Sequence, residues 1–216
     1  QFFYKMEWYQ ILAVISAFLC ITLLTTKLVN LIKLGLPKEL SQPSGSVKDG
    51  IAYSFTGAMS PKAKESAYMH MPTYFAGIVY HIGTFASLFM FPVILLLSDI
   101  LESLPQVIIY IIAVGLAISA LSGAGILIKR LITDKLRYFS SADDYISNFL
   151  TTAIQAVTAL IIISAIPPVL YYITAAAFFI WLPLGKTKHL LYFFFARIHL
   201  GYFYGRRGTW PVSKKN

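Results

Sequence analysis

The sequence predicts an all-α membrane protein, a bundle of five transmembrane helices. Of its 216 residues, 57% are hydrophobic and only 12% are charged, a balance that water-soluble domains do not have. Five apolar stretches have about the length that a bilayer requires, at residues 8–34, 73–97, 107–128, 145–166 and 169–191. None alternates polar and apolar residues as barrel strands do, so helices must satisfy their backbone in lipid. We therefore expect one membrane domain, residues 1–216, without a large soluble domain.

The distribution of basic residues predicts the orientation of this bundle. The turn at 98–105 contains Asp99 and Glu102 and no basic residue, and the turn around 165–168 is uncharged. Lysine and arginine instead gather after predicted helices 1 and 3 and in the C-terminal segment, at Lys33, Lys38, Lys48, Lys62, Lys64, Lys129, Arg130, Lys135, Arg137, Arg197, Arg206, Arg207, Lys214 and Lys215. Because such residues favour cytoplasmic loops, the N-terminus is predicted outside and the C-terminus in the cytoplasm, in a multi-pass protein of the cell's inner (cytoplasmic) membrane. The formal charge of +9 is thereby assigned to the membrane surface and not to nucleic acid.

Three segments are candidates for binding a partner: residues 35–71, the loop between predicted helices 3 and 4, and the C-terminal residues 192–216. Residues 35–71 are punctuated by Pro, Ser and Gly, and are too short for a domain but long enough to dock another subunit. Residues 192–216 are interpreted as a basic, aromatic cytoplasmic tail. The tail has two interpretations, which are a docking surface and an amphipathic anchor lying on the bilayer.

The histidines are the candidate cofactor ligands, because the single cysteine, Cys20, excludes a disulfide, a cysteine-ligated iron–sulfur cluster and a covalently attached haem. His81 lies about two turns inside predicted helix 2, and His189 lies near the cytoplasmic end of predicted helix 5. These helices run in opposite directions, so the two residues reach similar depth if helix 5 continues toward Arg197. That is the arrangement of bis-histidine haem ligation in a helical bundle. The alternatives are an interhelical hydrogen bond for His81 and an interfacial position for His189, while zinc lacks a third ligand.

The neighbours of these histidines suit a flat macrocycle. Gly77 and Gly83 flank His81 and leave room for a porphyrin face. Four cations are available for the haem propionates, Lys129, Arg130, Lys186 and Lys188. The same side chains could equally extend to lipid headgroups.

His70 and His199 form a second candidate pair, displaced toward the cytoplasm. His70 is eleven residues before His81, and His199 is ten residues after His189. A second haem between them would lie about 15 Å further out, at or beyond the headgroups. The other interpretation is that they contact a partner or the interface.

Several segments resemble the membrane cytochrome b (gamma) subunit of respiratory nitrate reductases. They are YHIG at 80–83, IKRL at 128–131, LR at 136–137, DDY at 143–145 and WLPLGKTKH at 181–189. The wider superfamily includes the membrane subunits of heterodisulfide reductase and of sulfite-reduction complexes. The resemblance covers about residues 9–207, with the same helix count and orientation.

The resemblance implies a cofactor set. In the family two b haems are stacked across the bilayer, each held by one histidine of helix 2 and one of helix 5. His81 and His189 match the ligands of the haem nearer the cytoplasm, whereas the other pair falls near Phe91 and Tyr171, which cannot replace histidines. The resemblance thus implies a single haem b in this chain.

The leading hypothesis is a quinone-linked electron-transfer subunit with His81 and His189 as axial ligands. It would pass electrons between the membrane quinone pool and a cytoplasmic iron–sulfur subunit of a respiratory complex. No catalytic residue is assigned, and catalysis on soluble substrates is expected in partner subunits. One alternative is a haem-free structural or transport subunit. Transport is disfavoured because the predicted helices contain almost no internal acidic residue and no broken-helix pair, and Lys27 is their one notable internal charge. The other alternative is a two-haem cytochrome that also uses His70 and His199.

Overall fold

A computed structural model describes residues 6–36, 38–63 and 69–212, without the side chain of Lys62. These residues form helices and no β-strand, as the sequence predicts. The helices are α1 (Trp8–Lys33), α2 (Val47–Phe55), α3 (Met71–Leu96), α4 (Ser98–Ser103), α5 (Gln106–Ile132), α6 (Asp134–Tyr138), α7 (Ala142–Ile162), α8 (Pro168–Trp181) and α9 (His189–Arg206). Single 3-10 turns occur at Gly57–Met59, Pro61–Ala63 and Lys186–Lys188.

Four of these helices, α1, α3, α5 and α7, are each long and apolar enough to cross a membrane. Helices α8 and α9 meet the same criteria only as a pair, so the described residues provide four spans, or five if the broken pair counts as one. The prediction of a multi-pass helical membrane protein is confirmed at this level. The first three predicted stretches agree with α1, α3 and α5 to within four residues at each end.

The fourth predicted helix is shifted toward the N-terminus, and its caps explain why. Ser141 is the N-cap, and its backbone N–H donates to Asp144 Oδ2 at 2.9 Å in a capping box, so α7 begins at Ala142. At the other end, Ser164 adopts a left-handed backbone conformation, with φ of 56°, and the N–H of Ala165 bonds back to the carbonyl of Leu160. Local capping therefore ends α7 at Ile162, although the apolar stretch continues.

The prediction of one continuous helix over residues 169–191 is wrong, because the chain breaks after Trp181. Pro183 lacks the N–H that a continuing helix needs. The N–H groups of Leu184 and Gly185 both bond to the carbonyl of Trp181, which closes a turn. Asp143 of α7 then accepts the backbone N–H of Lys186 at 2.9 Å, which holds the chain in the break. Hydropathy alone does not register these turns, since the residues on either side remain apolar.

The chain divides into two compact units. The larger unit contains Gln1–Leu23 and Pro72–Thr187, and the smaller unit contains Leu24–Met71 and Lys188–Asn216. In the larger unit α5 and α7 pack together, and their buried core consists of Ile109, Ala113, Leu116, Ala159 and Ile162.

A buried polar cluster joins α3, α5 and α7 inside the larger unit. Gln155 is fully buried, and its Nε2 donates to the carbonyl of Tyr80 at 3.1 Å and to Thr84 Oγ1 at 2.8 Å. The Ser119 hydroxyl lies 2.6 Å from Gln155 Oε1 and 2.8 Å from the carbonyl oxygen of Val79. Because buried polar groups are costly in lipid unless they are paired, this cluster fixes which side of α3 faces α5 and α7.

Gly83 allows the three helices to approach at this cluster, and its replacement gives a first testable prediction. A Cβ atom at Gly83 would collide with the side chain of Ser119. Gly83→Ala is therefore expected to lower the free energy of unfolding by about 2 kcal/mol, as overpacking of a tight core does. Thermal unfolding in detergent measures this loss.

Two further variants separate this collision from the general effect of an added methyl group. Gly115→Ala adds the same methyl at a helical glycine with nothing within 4 Å, and is expected to be neutral or slightly stabilising. The double variant Gly83→Ala with Ser119→Gly relieves the collision but leaves Gln155 Oε1 without the hydroxyl that pairs with it, so it should recover only part of the loss. A Gly83→Ala protein as stable as Gly115→Ala would contradict the close approach.

In the smaller unit α2 and α9 cross with their backbones in contact. A Cβ at Gly50 would collide with the backbone of Gly201 and Gly205, and a Cβ at Gly201 would collide with the backbone of Ile51. The Ser54 hydroxyl lies 2.8 Å from the carbonyl oxygen of Arg197, across the same interface. Of the segment interpreted as a tail, residues 192–206 are thus helical and packed on α2.

The C-terminal end of α9 is held by the segment before α2. The N–H groups of Ser44 and Gly45 donate to the carbonyl of Arg206 at 2.9 and 3.2 Å, which satisfies a helix-terminal acceptor. Arg207 forms two hydrogen bonds to Glu39, of 3.1 and 3.2 Å. The hydrogen bond from Arg207, followed by that from the backbone N–H of Ser41, lowers the pKa of Glu39 to about 2. Part of the predicted docking segment 35–71 is thus built into the smaller unit.

Candidate functional site

The structure fixes the tautomer of His81 on α3. Its Nδ1 lies 2.6 Å from the carbonyl oxygen of Gly77, one turn earlier. A carbonyl oxygen accepts only, so Nδ1 donates to it, and in the neutral ring the lone pair lies on Nε2. Metal-bound histidines commonly have this arrangement, in which the non-ligating nitrogen donates to a backbone carbonyl.

The direction of the His81 side chain follows from the polar cluster on α3. Val79, Tyr80 and Thr84 bond to Ser119 and Gln155, and Gly83 is buried against the same side chains. Side chains two positions apart on a helix point about 200° away from each other. His81 therefore lies on the side of α3 opposite Gly83. His81 is exposed there.

One face of α3 presents a histidine, an open glycine and a threonine that binds a lysine of α5. Thr73, Gly77 and His81 are spaced four residues apart and therefore lie along one face over about 12 Å. A Cβ at Gly77 would meet nothing within 4 Å. Lys129 at the end of α5 donates from Nζ to Thr73 Oγ1 at 2.7 Å. We call Thr73, Gly77, His81 and Lys129 the His81 face.

Arg130 and Lys186 both contact Asp144, a residue that was not among the predicted site residues. Arg130 NH1 is 3.4 Å from Asp144 Oδ1, and Lys186 Nζ is 2.6 Å from Asp144 Oδ2. The Asp144 side chain is only 12% exposed, so these contacts compensate a largely covered carboxylate. The capping-box spacing of Ser141 and Asp144 is the sequence signal that could have identified it. Lys129 is thus the cation that the structure places on the His81 face.

Gly83 cannot have the role expected from the sequence. The sequence analysis placed it beside the porphyrin together with Gly77. Its Cα is instead covered by Ser119 and Gln155, so it serves helix packing. Gly77 alone has the open environment that a planar ligand needs.

His189 is the first residue of α9 and belongs to the smaller unit, whereas His81 belongs to the larger one. His189 is exposed, and the turn Lys186–Lys188 precedes it. The expectation that His189 lies within a continuous fifth helix is wrong, because α8 ends at Trp181. The pairing of His189 with His81 therefore remains a prediction from the sequence.

His199 is engaged at both ring nitrogens within the smaller unit. Its Nδ1 lies 2.9 Å from the carbonyl oxygen of Phe195, and its Nε2 lies 3.2 Å from that of Gly35. Ligation needs a ring nitrogen with an available lone pair, so this arrangement disfavours His199 as a haem ligand. His70 lies just before α3 and is exposed. The alternative with a second haem between His70 and His199 thus loses one of its ligands.

Buried aromatic side chains fill the region where the family's second haem ligands would lie. Phe91 is 8% exposed and Tyr171 is fully buried. The Phe91 and Phe179 ring centroids are 4.8 Å apart, those of Tyr171 and Tyr172 are 5.1 Å apart, and Tyr9 stacks on Tyr172 at 5.7 Å. Packing of this kind is that of a protein core and not of a cofactor cavity.

An open apolar groove of about 300 Å³ lies between α3 and α5. Val79, Ile82 and Ala86 line it on α3, and Ile111 and Gly115 line it on α5. Ile82 is adjacent to His81 in the chain, so the groove and the His81 face occupy the same segment of α3.

The described residues contain no cluster of three or more His, Cys, Asp or Glu side chains that could hold a metal ion. Comparison with models of protein families, with curated proteins and with solved structures finds no match to this chain.

Proposed function

We propose that the protein is a b-type cytochrome subunit of a respiratory membrane complex, with one haem b held by His81 and His189. The His81 face supports this proposal. It offers a histidine whose Nδ1 donates to a backbone carbonyl, an open glycine one turn away, and Lys129 bound to Thr73 about two turns away on the same face. The resemblance of residues 181–189 to the family motif supports His189 as the second ligand.

Each residue of the His81 face has a defined role in this proposal. A bound haem b supplies one-electron chemistry between Fe(II) and Fe(III). His81 binds through Nε2 while the carbonyl of Gly77 holds its other nitrogen, which fixes the ring orientation. Lys129 provides a charge-assisted hydrogen bond to a carboxylate. Gln155 and Ser119 position His81 by preventing rotation of α3.

The electron donors and acceptors belong to the same proposal. Quinone or quinol is the membrane-soluble partner, and the apolar groove between α3 and α5 suits its isoprenoid tail. A cytoplasmic iron–sulfur subunit is the soluble partner, and it docks on the exposed part of the smaller unit, where Lys38, Lys48 and Arg207 lie. Catalysis on soluble substrates takes place in partner subunits.

Haem stoichiometry is the experiment that tests this function. The purified protein should contain one haem per chain and show a dithionite-reduced α band typical of bis-imidazole ligation. Two haems per chain would favour the two-haem cytochrome, and a preparation without haem after haem-supplemented expression would favour the haem-free structural or transport subunit. Either result would overturn the one-haem proposal.

The orientation in the cytoplasmic membrane is a separate part of the proposal, with the N-terminus outside and the C-terminus in the cytoplasm. The single cysteine, Cys20, is buried, so Cys20→Ala gives a silent background for labelling. Glu102→Cys is expected to react with a membrane-impermeant maleimide on intact cells. Thr209→Cys is expected to react only after permeabilisation, and the reverse pattern would invert the topology.

A further inference from the structure

The turn between α5 and α7, residues 133–141, has a position set by its two neighbours. Gln106–Ile132 and Ala142–Ile162 are both long and apolar enough to cross a membrane. A turn joining two spans lies at a boundary of the bilayer, whichever side that is. We call residues 133–141 the α5–α7 turn.

Two aromatic side chains of the α5–α7 turn are almost fully exposed. Tyr138 is 85% exposed and Phe139 is 82% exposed. Their rings contact edge to face, with centroids 5.3 Å apart. Exposed rings of this size are unfavourable in water but favourable at the level of lipid headgroups, where membrane proteins concentrate aromatic residues.

Cations lie beside these rings. Asp134, Lys135, Arg137, Tyr138 and Phe139 line an open surface cavity of about 450 Å³. The Arg137 guanidinium is held by Asp134 at 2.8 Å and remains 63% exposed. Lys135 takes part in none of the ion pairs found among the described residues. The cavity thus combines positive charge with an apolar wall.

We propose that the α5–α7 turn binds the headgroup of an anionic phospholipid. Lys135 and Arg137 attract the phosphate, while Tyr138 and Phe139 pack against the glycerol and upper acyl region. Charge and apolar surface on one small patch match an anionic lipid better than a zwitterionic one. The inference needs only the two flanking spans and does not depend on the haem.

Native mass spectrometry of the detergent-purified protein tests this site by titration with phosphatidylglycerol and, separately, phosphatidylcholine. The wild type is expected to bind phosphatidylglycerol more tightly. A lysine near a lipid surface strengthens anionic binding about fivefold, so Lys135→Gln should weaken phosphatidylglycerol binding by about that factor and leave phosphatidylcholine unchanged. Lys135→Arg should keep the preference, and the double variant Tyr138→Ser with Phe139→Ser should weaken both lipids.

Lys33→Gln, at the exposed end of α1, is the matched control for the general attraction of a lysine to anionic lipid, and it should weaken phosphatidylglycerol binding less than Lys135→Gln does. Equal binding of both lipids by the wild type, or equal phosphatidylglycerol binding by wild type and Lys135→Gln, would overturn the proposal. If Lys135→Gln keeps its lipid binding but loses association with the cytoplasmic subunit, the turn is a protein-docking surface instead. Circular dichroism of each variant separates these results from misfolding.

Discussion

Replacement of His81 by alanine is expected to abolish the reduced haem α band and to lower bound haem from one per chain to less than about a tenth. The loss follows because alanine removes the imidazole, whose Nε2 would bind the iron while its Nδ1 donates to the Gly77 carbonyl. Pyridine haemochrome assay of the purified protein measures it. His70→Ala replaces another exposed histidine and should retain the band.

A second variant tests the same face without removing a ligand. Gly77→Leu should also reduce haem content severely, because its side chain would occupy the open surface one turn from His81. Gly125→Leu introduces the same side chain at a glycine of α5 that is equally open, and should leave haem content unchanged. Equal haem in the Gly77→Leu and wild-type proteins would place the cofactor away from this face, whereas loss in both glycine variants would indicate a general folding defect.

We expect the largest loss of stability from a side chain inserted at the α2–α9 crossing. Gly201→Leu should lower the free energy of unfolding of the smaller unit by about 3 kcal/mol, because the Cβ would meet the backbone of Ile51, which cannot move aside as a side chain can. The fluorescence of Trp210 reports on this unit, since its ring lies 4.7 Å from Tyr204 and 5.5 Å from Tyr53. Chemical denaturation followed at Trp210 measures the change.

Ala196→Leu is the matched control for this crossing. Ala196 lies on the same helix and is exposed, so the larger side chain has space and should change stability by less than about 0.5 kcal/mol. If the Gly201→Leu and Ala196→Leu proteins unfold at the same denaturant midpoint, the backbones of α2 and α9 are not in contact. The variant Trp210→Phe supplies the fluorescence baseline for the other two tryptophans, Trp8 and Trp181.

The long helices were predictable from hydropathy because a bilayer imposes both their length and their apolar composition. Trp8–Lys33, Met71–Leu96 and Gln106–Ile132 begin and end within a few residues of the predicted stretches. The break after Trp181 was not predicted, since proline and hydrogen bonds cause it and hydropathy does not register them. Pro183 interrupts the helix, and Asp143 on another helix then accepts the N–H of Lys186. Such a contact between residues over forty positions apart leaves no hydropathy signal.

The candidate site, too, was predictable from the sequence only in part. The sequence alone singled out His81, Gly77 and Lys129, because a histidine inside an apolar helix is costly and glycines and cations at helix ends are visible in one dimension. Only the tertiary structure shows that Gly77 is open whereas Gly83 is packed against other side chains. It also shows that Arg130 and Lys186 contact Asp144, and that residues 192–206 of the expected tail form a helix packed on α2. Composition and spacing determine which segments enter a membrane, whereas side-chain packing and hydrogen bonds between distant residues decide which face each helix buries.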